Sequence, residues 1–388
     1  MNLAMELCEM FPKDLGCSGH TLQLAIKSGL VLPDVARTVD IARRVVSHFR
    51  HSALATCALK SRQEQLGVNA NKLQSDCAVR WNSTFIMLQR LFEQRIAVQA
   101  VLADISVTKP SVQKALAMRA SQWELLEQLV PVLQPLAKAT EILCSELHVG
   151  LSFIHPVIIN MVTTILRVED SDLTAVRAFK NTVRGQLETR FKLNSEGFTE
   201  SIPIVACMLD PRFKHLRFIP DEKREAAYSH LKTLLPEDEE APSETGAGDD
   251  EPGHSHSEGK KARLEQDFEQ LFGPIYSSGK GDVRHSNAAK ELQQYLLLPH
   301  IPTMENPLQW WSRNQKHYPR LAKLCKAYLA VPATSTPSER IFSLAGNTIT
   351  RQRTSLHPSH VDVLIFLHEN MGIKTPKTAQ HDLEWDSE

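Results

Sequence analysis

The chain has 388 residues, and its 44 Lys and Arg stand against 45 Asp and Glu, a formal charge of −1 with all 16 His neutral. With 42% hydrophobic and 23% charged residues it has the composition of a globular protein large enough for two or three cores, which excludes collagen-like, mucin-like and fully disordered chains and a uniformly basic nucleic-acid coat. No run approaches the roughly 18 apolar residues of a membrane span and Met1-Asn2-Leu3 does not open a signal peptide, so no membrane partner is expected.

In chain order, Leu3, Leu7, Cys8 and Phe11 share one helical face with no capping residue before them, so the sequence reads as beginning inside a domain. Asp14 to Cys17 reads as a short strand, and Thr21 to Ser28 as a helix through Leu22, Ala25 and Ile26. Pro33 opens a helix with Val35, Val39, Ala42, Val46, Phe49 and Ala53 on its apolar face. Asn82 or Ser83 caps another, which carries Phe85, Leu88, Leu91, Phe92 and Ile96. Trp123, Leu126, Leu133, Leu136 and Leu143 keep helical spacing, while Pro131 and Pro135 are expected to kink or split that element. A further helix spans Leu173 to Phe191 through Val176, Phe179, Val183 and Leu187.

Pro236 to Glu258 changes character: nine acidic residues, no Lys or Arg, and Pro, Gly and Ser between them. Such a run buries too little to order itself. Helices are expected at Leu264 to Ile275 and Glu291 to Leu297. From Pro307 to Leu356 the charge reverses, with eight basic residues, Arg313, Lys316, Arg320, Lys323, Lys326, Arg340, Arg351 and Arg353, against one acid, Glu339. Leu321, Leu324, Cys325, Tyr328 and Leu329 mark a packed helix there. The last helix starts near Pro358 and is apolar around most of its circumference through Val361, Val363, Leu364, Ile365, Phe366 and Leu367, so it needs cover from its own domain or from a partner subunit.

The candidate chemistry is sparse. Seven cysteines at positions 8, 17, 57, 77, 144, 207 and 325 form no CxxC pair, so reduced thiols are expected. Cys17 and His20 are half of a tetrahedral metal site without a second pair at suitable spacing, which favours a structural Cys and a hydrogen-bonded His, and no bound metal. His254 and His256 lie in the acidic run, where a designed site is not expected. Gly16-Cys17-Ser18-Gly19 misses the nucleophile elbow by one position, and no P-loop, dinucleotide-binding glycine motif or HExxH occurs. Glu339 carries two readings. Thr336-Pro337-Ser338-Glu339 has the form of a capping box with Pro at N1 and Glu at N3, and a carboxylate in a basic field also suits a divalent metal beside phosphate. Trp81 next to Arg80, and Trp310-Trp311 near Arg313 and Lys316, are either core residues or stacking platforms for unpaired bases.

The stretches Asn306-Pro307-Leu308-Gln309-Trp310-Trp311, Tyr318-Pro319-Arg320-Leu321 and Leu329 through Gly346, the last containing Thr336-Pro337-Ser338-Glu339-Arg340, resemble the dimerisation region of hAT-superfamily transposases, in the branch whose members carry BED-type zinc fingers. Cys17-Ser18-Gly19-His20, Arg80-Trp81-Asn82-Ser83-Thr84 and Leu209-Asp210-Pro211-Arg212-Phe213-Lys214 resemble the same family, in the right order, so the resemblance spans nearly the whole chain. It implies a mainly α chain: a remnant of an RNase H-like domain at 1–20, a helical insertion domain at 21–305 containing a disordered acidic linker at 236–262, the hAT dimerisation region with the last RNase H-like helix at 306–370, and a tail at 371–388. Glu339 resembles the third of three catalytic acids that bind two metal ions, and Trp81 a stacking partner for distorted DNA. The first two acids and the BED finger belong upstream of this sequence, so the nuclease fold is incomplete here.

The expectation is therefore a nuclear, transposase-derived protein that dimerises through Val361, Leu364, Ile365 and Leu367 and keeps residual DNA contact through Trp81, Arg340, Arg351 and Arg353. It has no cleavage activity of its own. Its partners would be a second copy, DNA and other nuclear proteins, and no cofactor is expected, Mg²⁺ or Mn²⁺ entering only with a complete, active transposase. Two alternatives stand beside it: part of a DNA-cutting transposase, or a helical scaffold that recruits proteins through the acidic run and the last helix.

Overall fold

Every regular element among the described residues is helical. The computed structural model describes residues 16–77, 79–145, 150–235, 287–349 and 356–371. In chain order the helices are α1 (Ser18–Leu30), α2 (Pro33–His51), α3 (Ala53–Leu66), α4 (Trp81–Glu93), α5 (Arg95–Ala103), α6 (Pro110–Leu116), α7 (Ala120–Leu143), α8 (Ile154–Asn160), α9 (Thr174–Arg190), α10 (Ile202–Leu209), α11 (Asp221–Leu234), α12 (Asn287–Leu297), α13 (Pro307–Asn314), α14 (Pro319–Leu329), α15 (Thr336–Thr348) and α16 (Pro358–Asn370). A π-helical turn at Met161–Ile165 extends α8.

Apolar periodicity accounts for most of this. The stripe predicted for α2 is buried at Val35, Val39, Ala42, Val46 and Phe49, but the helix stops at His51 because the Ser52 hydroxyl accepts the amide hydrogen of Ala55 and caps α3. Ala53 thus belongs to α3 and is exposed. Helix α4 starts at Trp81, with Arg80 in the capping position and no side-chain cap. Ser83, an expected cap, instead donates to backbone carbonyls behind it, and Ile96 falls in α5.

Pro131 and Pro135 do not divide α7, which runs unbroken for 24 residues. Each proline removes one amide donor, leaving the carbonyls of residues 127 and 131 without helical partners, and both of those residues are exposed, so water can serve them. The expected strand at 14–17 is not formed in its described half: Gly16 and Cys17 are irregular and lead straight into α1, while Asp14 and Leu15 lie outside the described residues. The acidic run, the helix expected at Leu264 to Ile275 and the amphipathic opening of the chain also lie outside them. An isolated antiparallel bridge between Cys77 and Arg80 is the strand-like feature among the described residues.

One continuous core runs from Leu22 to Ala333. Helices α1 and α9 make its closest contact: a Cβ placed on Gly29 would sit 2.6 Å from the Phe179 ring and 2.7 Å from Val183. All eight residues of α10 are buried, and the chain then turns at Asp210-Pro211-Arg212-Phe213-Lys214 into a buried polar clamp. Asp210 and Arg212 form an ion pair at 2.6 Å with side chains 0% and 1% exposed. The Ser152 hydroxyl donates to Asp210 at 2.6 Å, and the Arg212 guanidinium lies 4.7 Å from the Phe153 ring centre.

The clamp reaches across to the C-terminal helices. Arg212 donates to the Thr303 carbonyl, Lys214 to the Tyr295 carbonyl, and the Trp311 indole N–H to the Leu209 carbonyl at 2.8 Å. Burial pushes the Lys214 ammonium down to about 8. On α12, buried Glu291 accepts the Leu321 amide at 2.9 Å and pairs with Arg320, so it satisfies the amino end of α14 from outside that helix.

Candidate self-association surface

Beyond Leu329 the chain leaves the core through a loop that the rest of the molecule grips. Ala333 and Thr334 are buried. The Ser18 amide donates to the Ala333 carbonyl at 3.0 Å, the Ser335 amide to the Cys17 thiol sulfur at 3.3 Å, and the Thr336 hydroxyl to the Cys144 sulfur at 3.4 Å. Gly150 is required where it stands, because a Cβ would lie 2.9 Å from that of Ala333. Cys17 therefore has a packing and hydrogen-bonding place at the root of the C-terminal helices. His20, three residues on, is exposed and makes no hydrogen bond among the described residues, so the hydrogen-bonded histidine expected from the sequence is not formed. No group of three or more potential metal ligands occurs among the described residues.

From that root α15 projects with none of its 13 residues buried. Its amino end corrects the capping box expected at Thr336. Ser335 holds the cap position and Thr336 is the first helical residue, so Glu339 falls one position later than N3. The Ser335 hydroxyl donates to the exposed Glu339 carboxylate at 2.7 Å, a side-chain to side-chain contact in place of a reciprocal backbone one.

Helix α16 packs on α15 and forms a hairpin with it. Val361 is buried and Ile365, one turn on, is half-buried, which sets both on the side of α16 turned to its neighbour. Val361 nevertheless lies outside the continuous core. Leu364 and Leu367 are exposed. With them are Phe366 at 65% and Val363, from the run read in the sequence as needing cover, and three residues not singled out there as an interface: Phe342 at 74%, Ile341 and Met371. Their signal was present in the apolar run 361–367 and in the Ile341, Phe342, Ala345, Ile349 spacing of α15.

The residues proposed for DNA separate. Arg340 is exposed, with a guanidinium nitrogen 3.5 Å from the Cys144 carbonyl oxygen. Arg351 and Arg353 lie outside the described residues. Arg313 on α13, Lys316 in the turn that follows it, and Lys323 and Lys326 on α14 are exposed. Trp81 is 2% exposed, so it presents no ring face to a base in this arrangement, and its indole nitrogen is buried without a hydrogen-bond partner. Arg43 and Thr84 beside it both bind the Asp76 carboxylate. Trp310 and Trp311 sit in an aromatic cluster with Tyr295 and Tyr318, Trp310 lying nearly parallel to Tyr318 at 6.2 Å. Core packing, the other reading of these tryptophans, is what the fold adopts. Of the thiols, Cys207 is pushed well up and Cys325 up to about 12, both by burial, which makes them unreactive packing residues.

Two family models match the chain. The hAT family C-terminal dimerisation region matches residues 291–371, and the ZBED1 RNase-like helical domain matches 15–132. The first match contains both the clamped helices α12 to α14 and the projecting hairpin. Among curated proteins, the chain is 22% identical over 361 residues to human zinc finger BED domain-containing protein 4, covering 92% of this chain and 29% of that protein. It is 25% identical over 397 residues to mouse zinc finger BED domain-containing protein 6, covering 96% and 39%. To a putative AC transposase of maize it is 20% identical over 367 residues, covering 90% and 43%. The chain thus spans well under half the length of these relatives.

Proposed function

The chain belongs to the hAT transposase-derived proteins of BED type, and from that premise we propose that it is a self-associating helical module whose copies meet through the hairpin of α15 and α16. The observation that carries this reading is the apolar surface both helices leave uncovered, above all Phe342 and Phe366, on an element whose root is fastened to the body. Exposed large apolar side chains on two helices that pack together mark an interaction surface, and a two-fold pairing of identical hairpins would cover them on both copies at once. Multi-angle light scattering tests the idea. The wild-type chain should have at least twice the monomer mass at micromolar concentration, and the double variant Phe342→Asp/Phe366→Asp should be a folded monomer. A monomeric wild type would sink the proposal.

Residual DNA contact is the second element of the proposal. Arg313 on α13, Lys316 in the turn after it, Lys323 and Lys326 on α14 and Arg340 on α15 are exposed, and pairing two chains would double that basic field, so binding would be governed by phosphate and sensitive to salt. A nuclear location follows from this reading. The chain by itself is proposed not to cut DNA, because two-metal phosphoryl transfer needs several convergent carboxylates, whereas Glu339 is engaged by Ser335. The complete protein in which such a chain resides can be a transposase; that activity would depend on acids supplied from outside this sequence.

A further inference from the structure

Two imidazoles meet on the outside of the buried clamp. His215 follows Lys214 at the end of the turn after α10 and is half-buried, while His300 follows the end of α12 and is exposed. Their ring centres are 4.9 Å apart with the planes inclined at 74°. The Leu298 backbone lies beside the His215 ring, and each neutral imidazole keeps one nitrogen lone pair for a ligand. His300 has no hydrogen bond among the described residues, so its ring can turn about χ2 to meet a ligand.

The separation is that of two imidazoles sharing one ion. A metal about 2.0–2.1 Å from each ligating nitrogen lies roughly 3.2 Å from each ring centre, so centres 4.9 Å apart subtend about 100° at the ion, between the square-planar and tetrahedral angles. We propose that His215 and His300 form a binding site for a nitrogen-preferring divalent transition-metal ion such as Zn²⁺, Cu²⁺ or Ni²⁺, with water completing its shell. Lys214 and Arg217 oppose any cation, which with only two protein donors weakens the affinity. Mg²⁺ and Ca²⁺, which prefer oxygen, are excluded. An ion here would tie the turn after α10 to the segment after α12, alongside the bonds from Lys214 to the Tyr295 carbonyl and from Arg212 to the Thr303 carbonyl.

Thermal unfolding of the full chain, stripped with EDTA and then given ZnCl₂ or MgCl₂ at pH 7.5, tests the site. Zinc at about a hundred times its dissociation constant should raise the midpoint by roughly 3–8 °C, and magnesium should leave it unchanged. His300→Ala and His215→Gln should each abolish the zinc response. His300 is exposed, so its variant should melt like the wild type without metal even if His215→Gln fails to fold. An absent shift in the wild type, or one retained in full by His300→Ala, would overturn the proposal; the latter would mean that zinc binds elsewhere, for instance at His254 and His256 or an exposed thiol.

Discussion

His155 shows how far a single buried side chain departs from its sequence context. It lies 3% exposed against Phe198, one ring nitrogen 3.3 Å from the Ser201 hydroxyl and the other without a partner, and burial lowers its pKa to about 3. A histidine that stays neutral in the fold but titrates near 6.5 when unfolded withdraws stability as pH falls. Between about 6.5 and 3 the unfolded chain binds the proton and the folded chain does not, which removes roughly 1.4 kcal/mol per pH unit. Urea denaturation at pH 7, 6 and 5 should show that slope in the wild type and a flatter one in His155→Leu; equal slopes would contradict the burial argument. The Asp210 and Arg212 pair makes the opposite demand. Asp210→Ala leaves a buried guanidinium unpaired and should lower stability by about 3–5 kcal/mol, with the C-terminal helices released together because Arg212 and Lys214 reach both sides of the clamp. Glu339→Gln, by contrast, should change urea stability by less than about 0.5 kcal/mol, since an exposed amide can still accept from Ser335.

Two glycines of the helical body separate packing from propensity. Gly29 on α1 has the Phe179 ring where a Cβ would go, so Gly29→Ala should destabilise by about 1–3 kcal/mol in spite of alanine's better helix propensity. Gly185 on α9 has nothing within 4 Å of that position, and Gly185→Ala should stabilise by roughly 0.5–1 kcal/mol. Paired denaturant melts of the two variants read the difference directly; the same sign for both would mean that the α1 and α9 contact is looser than described. Helix α7 teaches a related lesson. Two prolines on its exposed side are tolerated because the carbonyls they orphan remain reachable by water, while Leu126, Leu129, Leu133 and Leu136 stay in the core.

At the scale of the molecule, the body and the hairpin obey different rules. The body buries its own apolar faces, with a continuous core and a clamp that fastens α12 to α14 to the helical domain; the hairpin has a fixed root and leaves large apolar side chains exposed. This division predicts that the double variant Phe342→Asp/Phe366→Asp removes self-association without lowering the melting temperature of the monomer, whereas a disruption of the clamp lowers both. It also predicts how DNA binding should behave. Affinity for duplex of any sequence should fall steeply between 50 and 200 mM salt, weaken in the monomeric variant, and produce no nicked product with Mg²⁺ or Mn²⁺. Metal-dependent nicking abolished by Glu339→Gln would reverse the reading of that residue.

The mainly α class, most helix positions, the charge reversal and the family resemblance were legible in the sequence because each rests on local spacing or on short motifs. Val35, Val39, Ala42, Val46 and Phe49 announce their buried stripe through period alone, and the run 361–367 announces an unpartnered helix. Whether Trp81 and Trp311 face solvent or core, where α2 gives way to α3, and which half of Val361, Leu364, Ile365 and Leu367 stays outside were decided by contacts between residues far apart in the chain. Leu209-Asp210-Pro211-Arg212-Phe213-Lys214 is the plainest case: a run with three charged residues reads as surface, yet Ser152, Tyr295, Thr303 and Trp311 make it interior by satisfying its charges and its backbone. Periodicity reports which side of a helix is apolar, whereas only the assembled helices determine what stands opposite that side and which polar groups find partners there.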